Sequence, residues 1–155
     1  MPVGGDEQLW FLNTHVIVRV RHTDGDDELC VLEHHAPHGD SPPLHVHQNE
    51  DEIFHILQGN VRFSVGGDVI RATAGDCLLA PKRIPHTYRV ESTAGARFLT
   101  VTRGGDFETL VRTLGRPAER NGLPDPAGPP TPEQAEALAR VCREHGIDLV
   151  GPPLP

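Results

Sequence analysis

Apolar and polar residues alternate with a period of two through most of the first hundred positions, the period of strands with one buried face. Leu9–Leu12 and Val16–Val20 are short runs rich in β-branched and aromatic residues. His15 lies between them and reads as ordinary. Thr23-Asp-Gly-Asp-Asp27 carries the Asp-Gly signal of a hairpin, and Leu29–Leu32 is the next strand. His34, His35 and His38 then read as a loop. Ile53–Leu57, Val61–Val65, Val69–Ile70, Cys77–Ala80, His86–Val90 and Arg97–Thr102 continue the series. Turns at Gly59-Asn60, Gly66-Gly67-Asp68 and Ala74-Gly75-Asp76 separate them. Many short strands between Gly, Pro and Asp turns predict an antiparallel barrel or sandwich.

The period changes after Gly104-Gly105. Phe107, Leu110, Val111 and Leu114 recur at helical spacing, with Gly115 placed as a C-cap. Residues Gly122–Pro132 are rich in Pro and Gly and read as a linker or an extended wrap. Thr131-Pro-Glu-Gln134 is a capping box with Pro at the first helical position. It opens a helix through Arg143 that ends at Gly146, with Leu138, Val141 and Cys142 as its apolar face. The expected organisation is a β-domain over 1–104 and a helical, Pro-rich extension over 105–155, packed on that domain or on a partner subunit.

Composition narrows the partners. A chain of 155 residues is one domain with an appendage, and 22 acidic against 14 basic residues leave a net charge of -8. No basic cluster offsets that charge, which argues against nucleic acid or an anionic membrane as a partner. Cys30, Cys77 and Cys142 are odd in number and far apart, so neither a disulfide framework nor a zinc knot is expected. Cys30 and Cys77 lie in strand-like runs and read as buried. Residues 1–7 lack a basic region followed by an apolar stretch, and no apolar run reaches membrane-spanning length. A cytoplasmic protein is the economical expectation.

The candidate chemistry lies between Gly39 and Val90. In an extended chain His45 and His47 point the same way and Val46 points away. Of the acids Glu50, Asp51 and Glu52, the last opens the next apolar run and shares its face with Phe54 and Ile56, whereas His55 faces the other way. His86 lies on one strand face with Tyr88 and Val90. Three imidazoles and a carboxylate suit a borderline divalent metal: Fe, Mn, Ni, Cu or Zn. His34 and His35 are adjacent and would face opposite ways, which makes them a poor alternative ligand pair.

This pattern resembles the cupin superfamily. Its first motif is Gly, five residues, His-x-His, three or four residues, Glu, six residues, Gly. Gly39, His45, His47, Glu52 and Gly59 match it at every spacing. Its second motif is matched at Gly75, Pro81 and His86, with Arg83 in place of a Gly and Val90 in place of an Asn. Neither departure removes a ligand. The lost Gly bears only on the turn before His86, and Val90 makes the pocket floor more apolar. The resemblance selects Glu52 over Glu50 and Asp51.

It implies a double-stranded β-helix, or jelly-roll barrel, that holds one divalent metal on His45, His47, Glu52 and His86. An octahedral ion then keeps two positions for substrate and for water or oxygen. The inward set Phe54, Ile56, Phe63, Tyr88 and Val90 suits an apolar or aromatic small molecule. The favoured reading is a dioxygenase similar to the small quercetin 2,3-dioxygenase-like cupins, acting on an aromatic or enolisable substrate. Glu52 would serve as general base and Tyr88 would orient the substrate. The same four ligands would serve a non-redox cyclase or isomerase of natural-product assembly, and a binding cupin without turnover is a third reading. Metal identity, a homodimer, and a lid role for the extension stay open at this point.

Overall fold

The computed structural model describes residues 7–155; residues 1–6, read above as lacking a signal-peptide pattern, lie outside the described residues. Ten strands follow one another: β1 Glu7–Phe11, β2 Thr14–Val20, β3 Leu29–Ala36, β4 Leu44–His47, β5 Glu52–Gln58, β6 Asn60–Val65, β7 Asp68–Thr73, β8 Cys77–Ala80, β9 His86–Val90 and β10 Ala96–Arg103. Helix α1 Asp106–Leu114, the two-residue β11 Arg116–Pro117, helix α2 Pro132–Glu144 and β12 Ile147–Gly151 complete the chain. One sheet runs β11-β1-β2-β3-β10-β5-β8 and the other β12-β4-β9-β6-β7. From β3 to β10 the chain crosses repeatedly from one sheet to the other, and every pairing is antiparallel. This is the expected jelly-roll, with two helices after it.

Period-two alternation sets what each sheet turns inward. Phe54 and Ile56 from β5, Val61 and Phe63 from β6, Val90 from β9 and Phe98 from β10 are each at most 2% exposed and form one core between the sheets. These rings interdigitate: Phe54 lies 4.9 Å from Phe63 and 6.0 Å from Phe98, centroid to centroid. Of the five residues expected to face a pocket, only Tyr88 is partly exposed. The other four fill the interior, because side chains of this size leave the facing sheets no gap between them.

Three local expectations change. His34 and His35 belong to β3, which continues to Ala36 as a strand paired with β2 and β10. His15 is a buried member of β2. Cys30 is buried as expected, but Cys77 is exposed, because β8 is an edge strand and Cys77 lies opposite half-buried His55 on its outer face.

The extension is integral to both sheets. The capping box at Thr131 and Gln134 forms, and Leu138, Val141 and Cys142 of α2 pack with Leu110 of α1 and Ile147 of β12. Gly115 closes α1 by donating to the Val111 carbonyl, in extended rather than left-handed conformation. The stretch from Gly122 to Pro132 is the extended wrap: Trp10 Nε1 donates to the Gly122 carbonyl at 2.8 Å, and the Arg116 and Arg120 guanidinium groups lie over the indole at 5.2 and 4.8 Å. α1 is anchored through Glu108, 2% exposed. Burial alone would raise its pKa, but the backbone and ring of His22, with Arg112, hold it at about 2.

Candidate metal centre

β4 and β9 are hydrogen-bonded neighbours with His45 opposite His86, and β5 faces them from the other sheet. The alternation that buries Phe54 and Ile56 therefore turns Glu52 inward, towards the three imidazoles. Ligand-type atoms of His45, His47, Glu52 and His86 all lie within 4.8 Å of one another. Glu52 Oε2 is 3.1 Å from His86 Nε2 and 3.3 Å from His47 Nε2. Ring centroids of His45 and His86 are 4.4 Å apart.

Two of the imidazoles are oriented by backbone carbonyls. His45 Nδ1–H donates to the Pro43 carbonyl at 2.7 Å, and His86 Nδ1–H to the Ile84 carbonyl at 3.3 Å. Fixing the proton on Nδ1 leaves the Nε2 lone pair free for a metal. His47 differs: neither ring nitrogen has a hydrogen-bond partner among the described residues, although the side chain is 2% exposed. Its Nε2 lies close to Glu52 without hydrogen-bond alignment.

The electrostatics suit a cation. Burial first, and then the neighbouring His86 and His47, push His45 down to about 3, and burial lowers His47 as well. Both are thus neutral donors at pH 7, the form a metal takes. Burial alone would raise Glu52; the surrounding imidazoles, His47 first and then His86 with its hydrogen bond, overcome it and bring the carboxyl down to about 2. A buried anion beside orphaned buried imidazole nitrogens is costly in isolation and is satisfied by a divalent ion. The residues present fit the group.

The other sequence candidates lie apart from the cluster. Glu50 Oε1 accepts from the Phe107 backbone N–H at 2.8 Å, and Asp51 Oδ1 from that of Lys82 at 2.9 Å, so of the three consecutive acids only Glu52 joins the histidines. His34 is buried against Phe98 and Phe107, with Nε2 2.9 Å from Thr100 Oγ1. Tyr88 packs on Phe54, Phe63 and Phe98. In the turn before His86, Arg83 stands where the motif has Gly and takes up the left-handed conformation that favours Gly. Its φ is 66, and its N–H donates to the His47 carbonyl at 2.7 Å.

Two neighbours of the site escaped the sequence. The Phe107 ring lies 5.6 Å from that of His47, edge to face, and β12 pairs with β4, Ile147 opposite His47 and Leu149 opposite His45. Helical spacing marked Phe107 as inward-facing but not what it faces. β12 follows a helix end and is too short for alternation to show.

Comparison with known proteins agrees with this geometry. The family model for the cupin domain matches residues 31–102, which contain all four side chains. Over 121 residues the chain is 33% identical to quercetin 2,3-dioxygenase of Bacillus subtilis, covering 77% of this chain and 35% of that protein. The chain thus spans well under half of that relative. Among solved structures, KdgF from Halomonas sp. superimposes with a TM-score of 0.54 at 17% identity, over 62% of this chain and 84% of that one. The polyketide cyclase RemF from Streptomyces resistomycificus gives 0.52 at 22%, over 59% and 65%. At these identities the two structures speak for the fold alone. The matched domain, the motif spacings and the two-sheet fold together identify residues 31–102 of this chain as a cupin domain.

Proposed function

We propose that this cupin is a metal-dependent dioxygenase acting on an aromatic or enolisable small molecule. Convergence of His45, His47, Glu52 and His86 in a buried, anion-containing cluster is the observation that carries the reading. The sequence likeness to quercetin 2,3-dioxygenase supports its chemical class. A divalent cation held there by the four side chains supplies Lewis acidity, which lowers the pKa of a substrate hydroxyl, and, if redox-active, a path for electrons to oxygen.

The chain's own residues do the rest. His45 and His86, locked at Nδ1 by carbonyls, present their Nε2 atoms in fixed directions. Glu52, ionised at neutral pH, receives the substrate hydroxyl proton on its carboxylate. The transfer to so weak a base becomes feasible only once that hydroxyl is acidified. Tyr88, the partly exposed aromatic two residues after His86 on β9, orients an aromatic substrate, and Phe54, Phe63 and Phe98 packed against it keep water from the reacting side. The test is elemental analysis of the purified protein joined to oxygen uptake on a panel of flavonols and other enolisable aromatics. A cyclase or isomerase using the same four side chains would keep turning over with Zn in place of the native metal and with oxygen removed. Sustained product under those conditions overturns the dioxygenase.

A further inference from the structure

Of the three histidines in the cluster, His47 alone has no hydrogen bond to fix its ring. Metal-bound imidazoles ordinarily have such a partner on the second nitrogen. Besides His45, His86 and Glu52 of the cluster itself, the neighbours of His47 include two from the C-terminal extension. Phe107 of α1 sets its ring edge to face against the imidazole at 5.6 Å, and Ile147 of β12 pairs opposite His47.

The loop that joins His47 to Glu52 is held by the same extension, residue by residue. Gln48 N–H donates to the Gly146 carbonyl at 2.8 Å, and its side chain donates to Asp148 at 2.7 Å. Asn49 Nδ2 donates to Asp106 Oδ2 at 2.9 Å. Glu50, 2% exposed, accepts the Phe107 N–H at 2.8 Å. Three consecutive residues between two ligands are thus tied to elements 57 to 100 positions further along the chain.

We propose that the extension is the positioning frame of the metal centre: α1 and β12 grip Gln48, Asn49 and Glu50 and pack on His47, standing in for the hydrogen bond that His47 lacks. The inference rests on the metal-site reading above. These residues touch no metal; they act through His47 and Glu52. Gly146 shows how tight the grip is. Its φ is +71, and a Cβ there would lie 2.6 Å from Asp106 Oδ2 and 2.9 Å from Asn49 Nδ2. A single methyl added at residue 146 must therefore push aside the Asp106 carboxylate or the Asn49 amide, and with it the hydrogen bond that ties the loop to α1.

The test is the affinity and visible spectrum of Co(II) in the full-length apo-protein, titrated against a chelator, with thermal unfolding as the control for folding. Glu50→Ala and Gly146→Ala should each weaken Co(II) by ~10-fold or more, the usual effect of losing a ligand's supporting partner, and should alter the ligand-field bands. Glu50→Gln keeps the acceptor for the Phe107 N–H and should restore both. If Glu50's charge rather than its grip mattered, Gln would behave as Ala, and the proposal falls. It also falls if folded Glu50→Ala and Gly146→Ala proteins bind Co(II) like the parent. Should the parent itself bind no Co(II), the metal-site reading falls and takes this inference with it.

Discussion

Two of the four cluster side chains, His47 and Glu52, have separable expected effects. His47→Ala removes one of four donors and leaves Glu52 buried with fewer partners, so the purified variant should lose most of its bound metal; near-stoichiometric retention by elemental analysis contradicts the assignment. Glu52→Gln keeps an oxygen that can coordinate but cannot take up a proton. Metal should fall only in part, while turnover drops about 10²–10⁴-fold. His34 makes a prediction about pH. Burial lowers its pKa from 6.5 to about 4, so the unfolded chain takes up this proton first as pH falls. Its stabilising contribution is complete above 6.5 and is lost through the window from 6.5 to 4. Urea denaturation of apo-protein between about pH 7.5 and pH 5 should show a loss about 2 kcal/mol larger for the parent than for His34→Gln. Equal losses would refute it. All four cluster residues were legible in the sequence, since period-two alternation and motif spacing act directly on which side chains face inward. The bare Nδ1 of His47 was not, because it reflects contacts with residues far along the chain.

The strands were legible wherever apolar residues alternated, and illegible where a polar residue was buried or a strand was short. β3 runs through His34 and His35, which look like loop residues until Phe98 and Phe107 are found stacked on His34. β12 has five residues and finds its partner, β4, about a hundred positions earlier, a pairing no local pattern encodes. The turns test the strand connections. Gly59 and Gly75 both have positive φ, 93 and 95, yet their surroundings differ. A Cβ on Gly59 would lie 2.6 Å from the Gly95 carbonyl oxygen, whereas one on Gly75 meets nothing within 4 Å. Gly75→Ala should cost only the left-handed penalty of about 1–2 kcal/mol. Gly59→Ala should cost clearly more, because backbone must move. Chemical denaturation of the two variants decides this, and equal midpoints would contradict the packing seen at the β5–β6 turn.

Across the whole chain, the extension supplies β11 to one sheet and β12 to the other, so the boundary between residues 1–104 and 105–155 does not separate the sheets. We expect a single unfolding transition, with fluorescence of Trp10, which lies under the wrap at Gly122, coincident with loss of far-ultraviolet dichroism. Two separated transitions would make the extension an independent body. The chain carries a net charge of -8, and no helix among its described residues is long and apolar enough to cross a membrane. The overall fold and the buried cluster both serve one proposed act, the reaction of an organic substrate with oxygen at a metal. The most direct measurement is oxygen consumed per product formed by the metal-loaded protein with an enolisable aromatic substrate. A dioxygenase takes up one oxygen molecule for each product and forms none without oxygen; product formed at an undiminished rate in oxygen-free solution would rule that chemistry out.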